Sequence, residues 1–179
     1  MKPSLSSLLL AFALAAANSC YASSAVSLSS GFRTCIDIGK VRLMTDLMRT
    51  AWDPLFRQHN SIEAAFVGRI KPGSLTIDAL APSDLDTAAT EARVVLTGRD
   101  RLLGLPVLAV SATTCEGGCG LSIWTLELGK LRLKDKKRLL AWVRTAPQTI
   151  WDTDPDTPIK VQFVENPDGG VSLVCDTST

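Results

Sequence analysis

The sequence is poor in the side chains on which most catalytic centres depend. Of its 179 residues, one is a histidine and one is a tyrosine. A histidine-rich metal centre is excluded, because it needs several imidazole ligands. No G-x-S-x-G elbow, no P-loop and no G-x-G-x-x-G turn opening a helix is present. We therefore expect no cofactor and no bound metal, and we interpret the single histidine, His59, as a surface residue at a helix end.

The chain also lacks an excess of charge of one sign. It has 19 Lys and Arg against 18 Asp and Glu, which gives a formal net charge of +1. Nucleic-acid-binding proteins usually carry a net basic excess, so we expect no nucleic-acid partner. Apolar residues make up 46% of the chain. That composition is typical of a globular protein and argues against a disordered or low-complexity one.

Residues 1–22 have the pattern of a secretory signal peptide. Lys2 precedes an apolar run from Leu8 to Ala17, and Cys20-Tyr21-Ala22 places small residues before a cleavage site after Ala22. The run is shorter than the roughly 20 residues that a membrane-crossing helix needs, and no second run of spanning length follows it. We predict an exported, periplasmic or secreted protein with no transmembrane segment in the mature chain. Lipidation at Cys20 is the alternative.

The number of cysteines agrees with export. Removal of Cys20 from the five cysteines leaves four, and an even number in an exported chain predicts two disulfides. The spacings are unlike the two close pairs of a structural zinc site. The one close pair has three intervening residues, where a redox dithiol usually has two.

Four cysteines allow three pairings, and the sequence does not choose among them. We expect Cys35–Cys175, which would join the two ends of the domain, and Cys115–Cys119, which would close a short loop. By chain-entropy arithmetic the long loop is worth about 5 kcal/mol and the short one about 2 kcal/mol. The long bridge would therefore be the structural one.

The periodicity of apolar residues predicts an α+β fold. A helical stripe runs over 41–56, where Pro54 either kinks the helix or starts a second one after Asp53. Short strands are predicted at 64–70, 75–80, 92–97, 105–112, 121–128, 159–164 and 171–175, with a late helix at 136–144. We expect a mainly antiparallel sheet on which the N-terminal amphipathic helix and the short late helix pack. The predicted organisation is a signal peptide at 1–22, a flexible lead at 23–34 and one disulfide-stapled domain at 35–179.

Two segments are candidates for contact with a partner. The first is the loop Glu116-Gly117-Gly118, because a rigid, bridged loop loses little entropy when it binds. The second is the basic segment 130–144, which has seven positive charges and one acid, Asp135. From it we single out Lys130, Arg132 and Lys134. The charge pattern by itself favours mutual neutralisation of this segment and the acidic residues 145–179 in the fold. The other interpretation is a basic patch that meets an acidic protein or an anionic envelope polymer. For the loop, the alternative is a disulfide-pinned hairpin turn with no partner.

These features favour a non-enzymatic protein of a bacterial-type cell envelope that binds another protein, as an inhibitor, an immunity protein or an assembly factor. No catalytic residue is assigned, and the oligomeric state stays open. One alternative is a carrier of a small ligand, held in an apolar pocket between helix and sheet. The other is a cell-wall hydrolase that uses two carboxylates. The 18 acidic residues single out no pair for that role.

Overall fold

A computed structural model describes residues 27–59, 61–80, 88–115, 120–151 and 154–178. The predicted signal peptide and Cys20 lie outside these residues. Among the residues that are described, helices and a six-stranded, mainly antiparallel sheet form an α+β fold, which confirms the predicted class. No helix in the described part of the chain is long and apolar enough to cross a membrane.

Five α-helices and one 3-10 helix are described. Their bounds are α1, Leu28–Thr34; the 3-10 helix, Ile36–Lys40; α2, Arg42–Trp52; α3, Pro54–His59; α4, Ile62–Ala65; and α5, Leu133–Arg144. Between α2 and α3, Asp53 Oδ1 accepts hydrogen bonds from the backbone N–H groups of Leu55 and Phe56 at 3.0 and 3.1 Å. Pro54 fits the first position of α3, where no backbone donor is needed. Pro54 therefore begins a second helix and does not kink the first.

Ten strands are described. Their bounds are β1, Thr76–Leu80; β2, Ala89–Val95; β3, Arg101–Leu102; β4, Leu105–Pro106; β5, Ala109–Cys115; β6, Ser122–Lys130; β7, Thr149–Trp151; β8, Asp154–Ile159; β9, Val161–Glu165; and β10, Gly170–Asp176. The main sheet has the order β1-β2-β5-β6-β10-β9, and each neighbouring pair is antiparallel. The pairs β3–β4 and β7–β8 form two small hairpins beside it.

The two faces of the sheet differ in chemistry. Residues directly opposite on neighbouring strands share a face, and one such row is Ala92, Ala112, Trp124 and Cys175, all buried. This is the face on which the helices pack, because Cys175 is disulfide-bonded to Cys35 at the end of α1. The opposite face is mostly polar. Its rows include Arg93, Ser111, Thr113, Thr125 and Glu127.

The core lies between α1, α2 and this apolar face. Phe32, Leu43, Met44 and Leu47 are fully buried among the strands' own fully buried side chains, which include Val94, Val110, Leu126 and Leu173. The predicted bridge Cys35–Cys175 is confirmed, with Cα atoms 5.4 Å apart and a sequence separation of 140 residues. It ties the N-terminal helix to the last strand of the sheet.

Two expectations for the N-terminal half need correction. Residues 28–34 of the expected flexible lead form α1, because Leu28 and Phe32 lie four residues apart on one helix face and are both buried. Residues 64–70 do not form the predicted strand. The end of α4 occupies the first two of them, and Val67 and Ile70 make only isolated bridges. Ser61 starts α4 by accepting a hydrogen bond from the Ala64 N–H at 3.3 Å.

Candidate binding surface

The predicted contact residues Lys130, Arg132 and Lys134 lie together where β6 leads into α5. Lys130 is the last residue of β6, and Arg132 immediately precedes the first turn of α5. The register of β6 against β10 shifts here, since Val171 pairs with Gly129 and Ser172 with Glu127, so Leu128 is the extra residue of a β-bulge. Gly129 has a φ of +67°, and a Cβ there would lie 2.6 Å from a Leu108 methyl carbon. Glycine is therefore required for the turn that carries the chain into the basic segment.

Two of the three arginines of this segment lie beside one buried acid. Asp135 is 7% exposed. Its carboxylate lies 2.9 Å from Arg132 Nε and 3.6 Å from an Arg138 guanidinium nitrogen. A carboxylate in the first turn of a helix is also stabilised by the positive end of the helix dipole. Asp135 therefore forms an ion pair with each of these two arginines at the start of α5.

The lysines of the segment are mostly left without such partners. Lys136 Nζ lies 2.8 Å from Glu165 Oε2, which joins α5 to the end of β9. That is one ion pair between the basic segment and the acidic residues that follow it. Lys130, Lys134 and Lys137 form no ion pair within the described residues. Mutual neutralisation of the two segments is therefore incomplete there.

An exposed leucine sits among these cations. Leu133, the first residue of α5, is 69% exposed. It follows Arg132, precedes Lys134 and lies one helical turn from Lys137. An isolated exposed leucine is common on protein surfaces. Leu133, however, has cations directly before and after it in the sequence. It therefore resembles the apolar centre of a small contact patch with a charged rim. We call the set Lys130, Arg132, Leu133, Lys134 and Lys137 the basic surface.

A cleft of about 470 Å³ opens beside the basic surface. It lies between the β3–β4 turn and the first two turns of α5, and its lining residues are Leu103, Gly104, Leu105, Arg132, Lys134, Asp135 and Arg138. Leu103 has a φ of +52° and Gly104 a φ of +78°, so both residues of this two-residue turn are left-handed. Glycine accepts this conformation easily, whereas a leucine there is strained by roughly 1–3 kcal/mol. This strained turn places the half-buried side chain of Leu103 at the rim of a basic cleft.

The other predicted contact segment follows β5. Glu116, Gly117, Gly118 and Cys119 lie outside the described residues. Cys115, the last residue of β5, is buried and disulfide-bonded. The expected pairing with Cys119 stays a prediction. Cys115 lies beside the start of β6 and Lys130 is the last residue of that strand, so about 25 Å of strand separates Cys115 from Lys130.

A second cleft, which the sequence did not reveal, lies at the other end of α5. It has a volume of about 620 Å³, and its lining residues are Val143, Arg144, Ala146, Gln148, Lys160, Val161, Gln162 and Phe163. Lys160 is the one Lys or Arg of residues 145–179, and it is the only signal of this cleft in the sequence. We call this feature the α5–β9 groove.

The polar face of the sheet holds the groups that a carboxylate hydrolase would need. Asp78 of β1 and Glu91 of β2 are directly opposite in the register and share this face. Beside them Arg93 makes two hydrogen bonds to Glu127, at 2.6 and 2.7 Å, and these bonds raise the pKa of Arg93 above its ordinary value. Arg93 is thus held by Glu127 across the intervening strand β5. Asp78 and Glu91 are thus a pair of carboxylates that the strand register places directly opposite each other.

Metal and histidine chemistry find no support in the described part of the chain. No group of three or more His, Cys, Asp or Glu side chains there could hold a metal ion. His59 is the last residue of α3 and is exposed, as predicted. The chain matches no protein-family model, no curated protein and no solved structure.

Proposed function

We propose that the chain is an exported, non-enzymatic protein that binds another protein of the cell envelope, and that the basic surface at the start of α5 makes the contact. An inhibitor, an immunity protein or an assembly factor would each fit this description. The partner's contact region would be acidic, with an apolar recess for Leu133.

The observation that carries the proposal is the arrangement of charge around Leu133. Asp135 engages Arg132 and Arg138, whereas Lys130 and Lys134 have no ionic partner within the described residues. The side chains of Arg132 and Arg138 are 74% and 52% exposed, so both guanidinium groups are accessible to a partner. Unpaired lysines at the rim attract an acidic partner over a distance and raise the rate of association. Together they favour a protein surface that is complementary in charge and shape.

The alternatives have less support from the residues that the structure describes. A carrier would need space between α2 and the sheet, but fully buried side chains such as Leu43, Met44 and Leu126 occupy that region. A hydrolase could use Asp78 and Glu91, but Asp78 lies on an edge strand whose five residues are all exposed. A catalytic acid works best where burial tunes its proton affinity.

The test is capture of a partner by the oxidised chain, residues 23–179, from the envelope of the source organism. The wild-type bait is compared with Lys130→Glu/Lys134→Glu. The matched control is Lys71→Glu/Arg99→Glu, which changes the same charge at two exposed residues away from α5. We expect one stoichiometric protein with the wild type and the control, and its loss with the Lys130 and Lys134 variant. Equal recovery by all three baits would contradict the role of the basic surface.

A further inference from the structure

The α5–β9 groove lies beside β9, which is an edge strand of the sheet among the described strands, and the proposed function does not use this groove. We propose that an extended, acidic segment of the protein partner binds in this groove as an additional strand next to β9. The inference rests on the proposed protein-binding function and assigns a second part of the contact surface, with its own recognition chemistry.

Helix α5 forms a wall along the whole of β9. At one end, Lys136 is 2.8 Å from Glu165, the last residue of the strand. At the other end, Val143 and Arg144 line the groove together with Val161, the first residue of the strand. The helix rises about 12 Å between Lys136 and Arg144, and the five-residue strand spans about 13 Å. Helix and strand therefore run side by side in opposite directions.

The outer edge of β9 can accept another strand. On its inner side β9 pairs with β10 over all five of its residues. On its outer side no described strand pairs with it. An edge strand presents a row of backbone N–H and C=O groups, and extended peptides add to such edges through main-chain hydrogen bonds. The edge thus supplies affinity that does not depend on the partner's side chains.

The groove beside this edge selects the partner's side chains. Val143, Ala146 and Phe163 give it an apolar wall, and Arg144 and Lys160 give it positive charge. Neither cation forms an ion pair within the described residues, and none of the described lining residues is acidic. Alternate side chains of an added strand would face the helix. The groove therefore fits apolar side chains at alternate positions, with carboxylates near Arg144 and Lys160.

The opposite edge of the sheet provides a contrast. There β1 is also an edge strand in the described part of the chain, and it carries Asp78, which forms no ion pair within the described residues. The one acid of β9, Glu165, is paired with Lys136 at 2.8 Å. An acidic segment would therefore be repelled by Asp78 at β1, whereas Arg144 and Lys160 line the groove at β9. Charge complementarity therefore assigns the acidic strand to β9 and not to β1.

The experiment uses an array of synthetic acidic octapeptides that alternate Asp or Glu with each apolar residue type, and measures their affinity for the oxidised chain. The strongest binder is then made in two N-methylated forms, each blocking alternate amides. Since only alternate amides of an added antiparallel strand bond to its neighbour, one form should lose binding and the other should keep it. Binding should also weaken at least about tenfold in Arg144→Glu/Lys160→Glu, and change little in Lys71→Glu/Arg99→Glu.

Three results would overturn the inference: no binder in the array, equal binding by both N-methylated forms, or equal binding by the Arg144 and Lys160 variant. These outcomes are separable from failure of the proposed function. If partner capture still depends on Lys130 and Lys134 while any of the three is seen, the protein-binding function stands and the strand addition is wrong. If capture fails with every bait, the function itself is wrong.

Discussion

Helices α2 and α5 lie on the same side of the sheet and have similar lengths, but they bury very different surfaces. In α2, five of the 11 residues are buried: Leu43, Met44, Leu47, Thr50 and Ala51. In α5, two of the 12 residues are buried, Leu139 and Asp135, and the second is an acid that holds arginines. Helix α2, with α1 before it, supports the core. Helix α5 is anchored by Leu139, with Trp142 and Val143 partly buried against the core, and its cations lie mostly in solvent.

The comparison shows that two amphipathic helices can have different roles, one through its buried residues and the other through its exposed charges. The buried stripe of α2 stabilises the fold, so changes there should lower stability. The exposed cations and Leu133 on α5 contribute little to the core, so changes there should alter binding and leave stability almost unchanged. The disulfide and a pair of leucines test this division, whereas Gly31 and Glu63 test the contacts of the neighbouring helices α1 and α4; the expected effects decrease in that order.

The largest effect should come from the bridge that ties the α1–α2 region to the sheet. In Cys35→Ala/Cys175→Ala, loss of a cross-link over 140 residues should lower the free energy of unfolding by about 5 kcal/mol by chain-entropy arithmetic. Denaturant unfolding of the oxidised wild type and the variant measures this difference. A loss below about 1 kcal/mol would show that the bridge does not anchor the N-terminal helices.

A pair of leucine truncations compares the two helices directly. Leu47 of α2 is fully buried and Leu133 of α5 is 69% exposed. Leu47→Ala should cost about 2–5 kcal/mol because it leaves a cavity in the core. Leu133→Ala should change stability by less than about 0.5 kcal/mol and should weaken partner binding. The same unfolding titration measures both, and equal costs would contradict the division.

A methyl group added at Gly31 should not fit, because α1 lies close to the segment that follows it. A Cβ at Gly31 would lie 2.7 Å from Val41 Cγ2 and 3.1 Å from the backbone of Ile38. Gly31→Ala should therefore destabilise the protein by about 1–3 kcal/mol through overpacking, although alanine favours helix. A thermal midpoint equal to or above that of the wild type would show that this contact is loose.

The smallest of the four effects should depend on pH. The Glu63 carboxylate of α4 accepts hydrogen bonds from the backbone N–H groups of Gly73, Ser74 and Leu75, each at 3.0 Å. These bonds lower the pKa of Glu63 below its ordinary value, chiefly the one from Gly73. A lowered pKa adds stability above the unfolded-state value of about 4.3, and that stability is lost as the pH falls through the folded-state pKa.

Glu63→Gln should therefore lower the thermal midpoint at pH 7. The gap between variant and wild type should narrow as the pH falls below about 4. Thermal unfolding across that range measures it. A gap that stays constant down to pH 2.5 would mean that the charge of Glu63 plays no part in holding the turn before β1.

Much of the fold could be predicted from the sequence, because its periodicity is local. The α2 stripe follows from residue spacing. For Pro54 the sequence left two alternatives, and for the cysteines it left three pairings; the contacts of Asp53 and the bridge Cys35–Cys175 decide these in the structure. The strand predicted at 64–70 is wrong, because these apolar residues suit a short strand by type alone. In the structure Ser61 caps α4, and Glu63 of that helix accepts hydrogen bonds from the turn before β1. Helix α5 begins at Leu133, three residues earlier than predicted, because Leu133 is exposed and does not belong to an apolar stripe.

The candidate site was only partly predictable. The run of cations from Lys130 onward is visible in the sequence, and the structure brings Arg132 and Lys134 to the lining of one cleft. The cleft beside them is not visible, because Leu103 and Arg132 come from segments about thirty residues apart. The α5–β9 groove likewise joins Val143 to Phe163 across the hairpin β7–β8. Clefts of this kind depend on tertiary packing, which local patterns do not encode.

The most direct test of the division between the two helices measures binding and stability on the same variant. Lys130→Glu/Lys134→Glu is used both as bait for the envelope partner and in thermal unfolding. The account predicts loss of the captured protein with a midpoint close to that of the wild type. Undiminished capture would contradict the assignment of the basic surface, and a large fall in the midpoint would show that this end of α5 supports the fold.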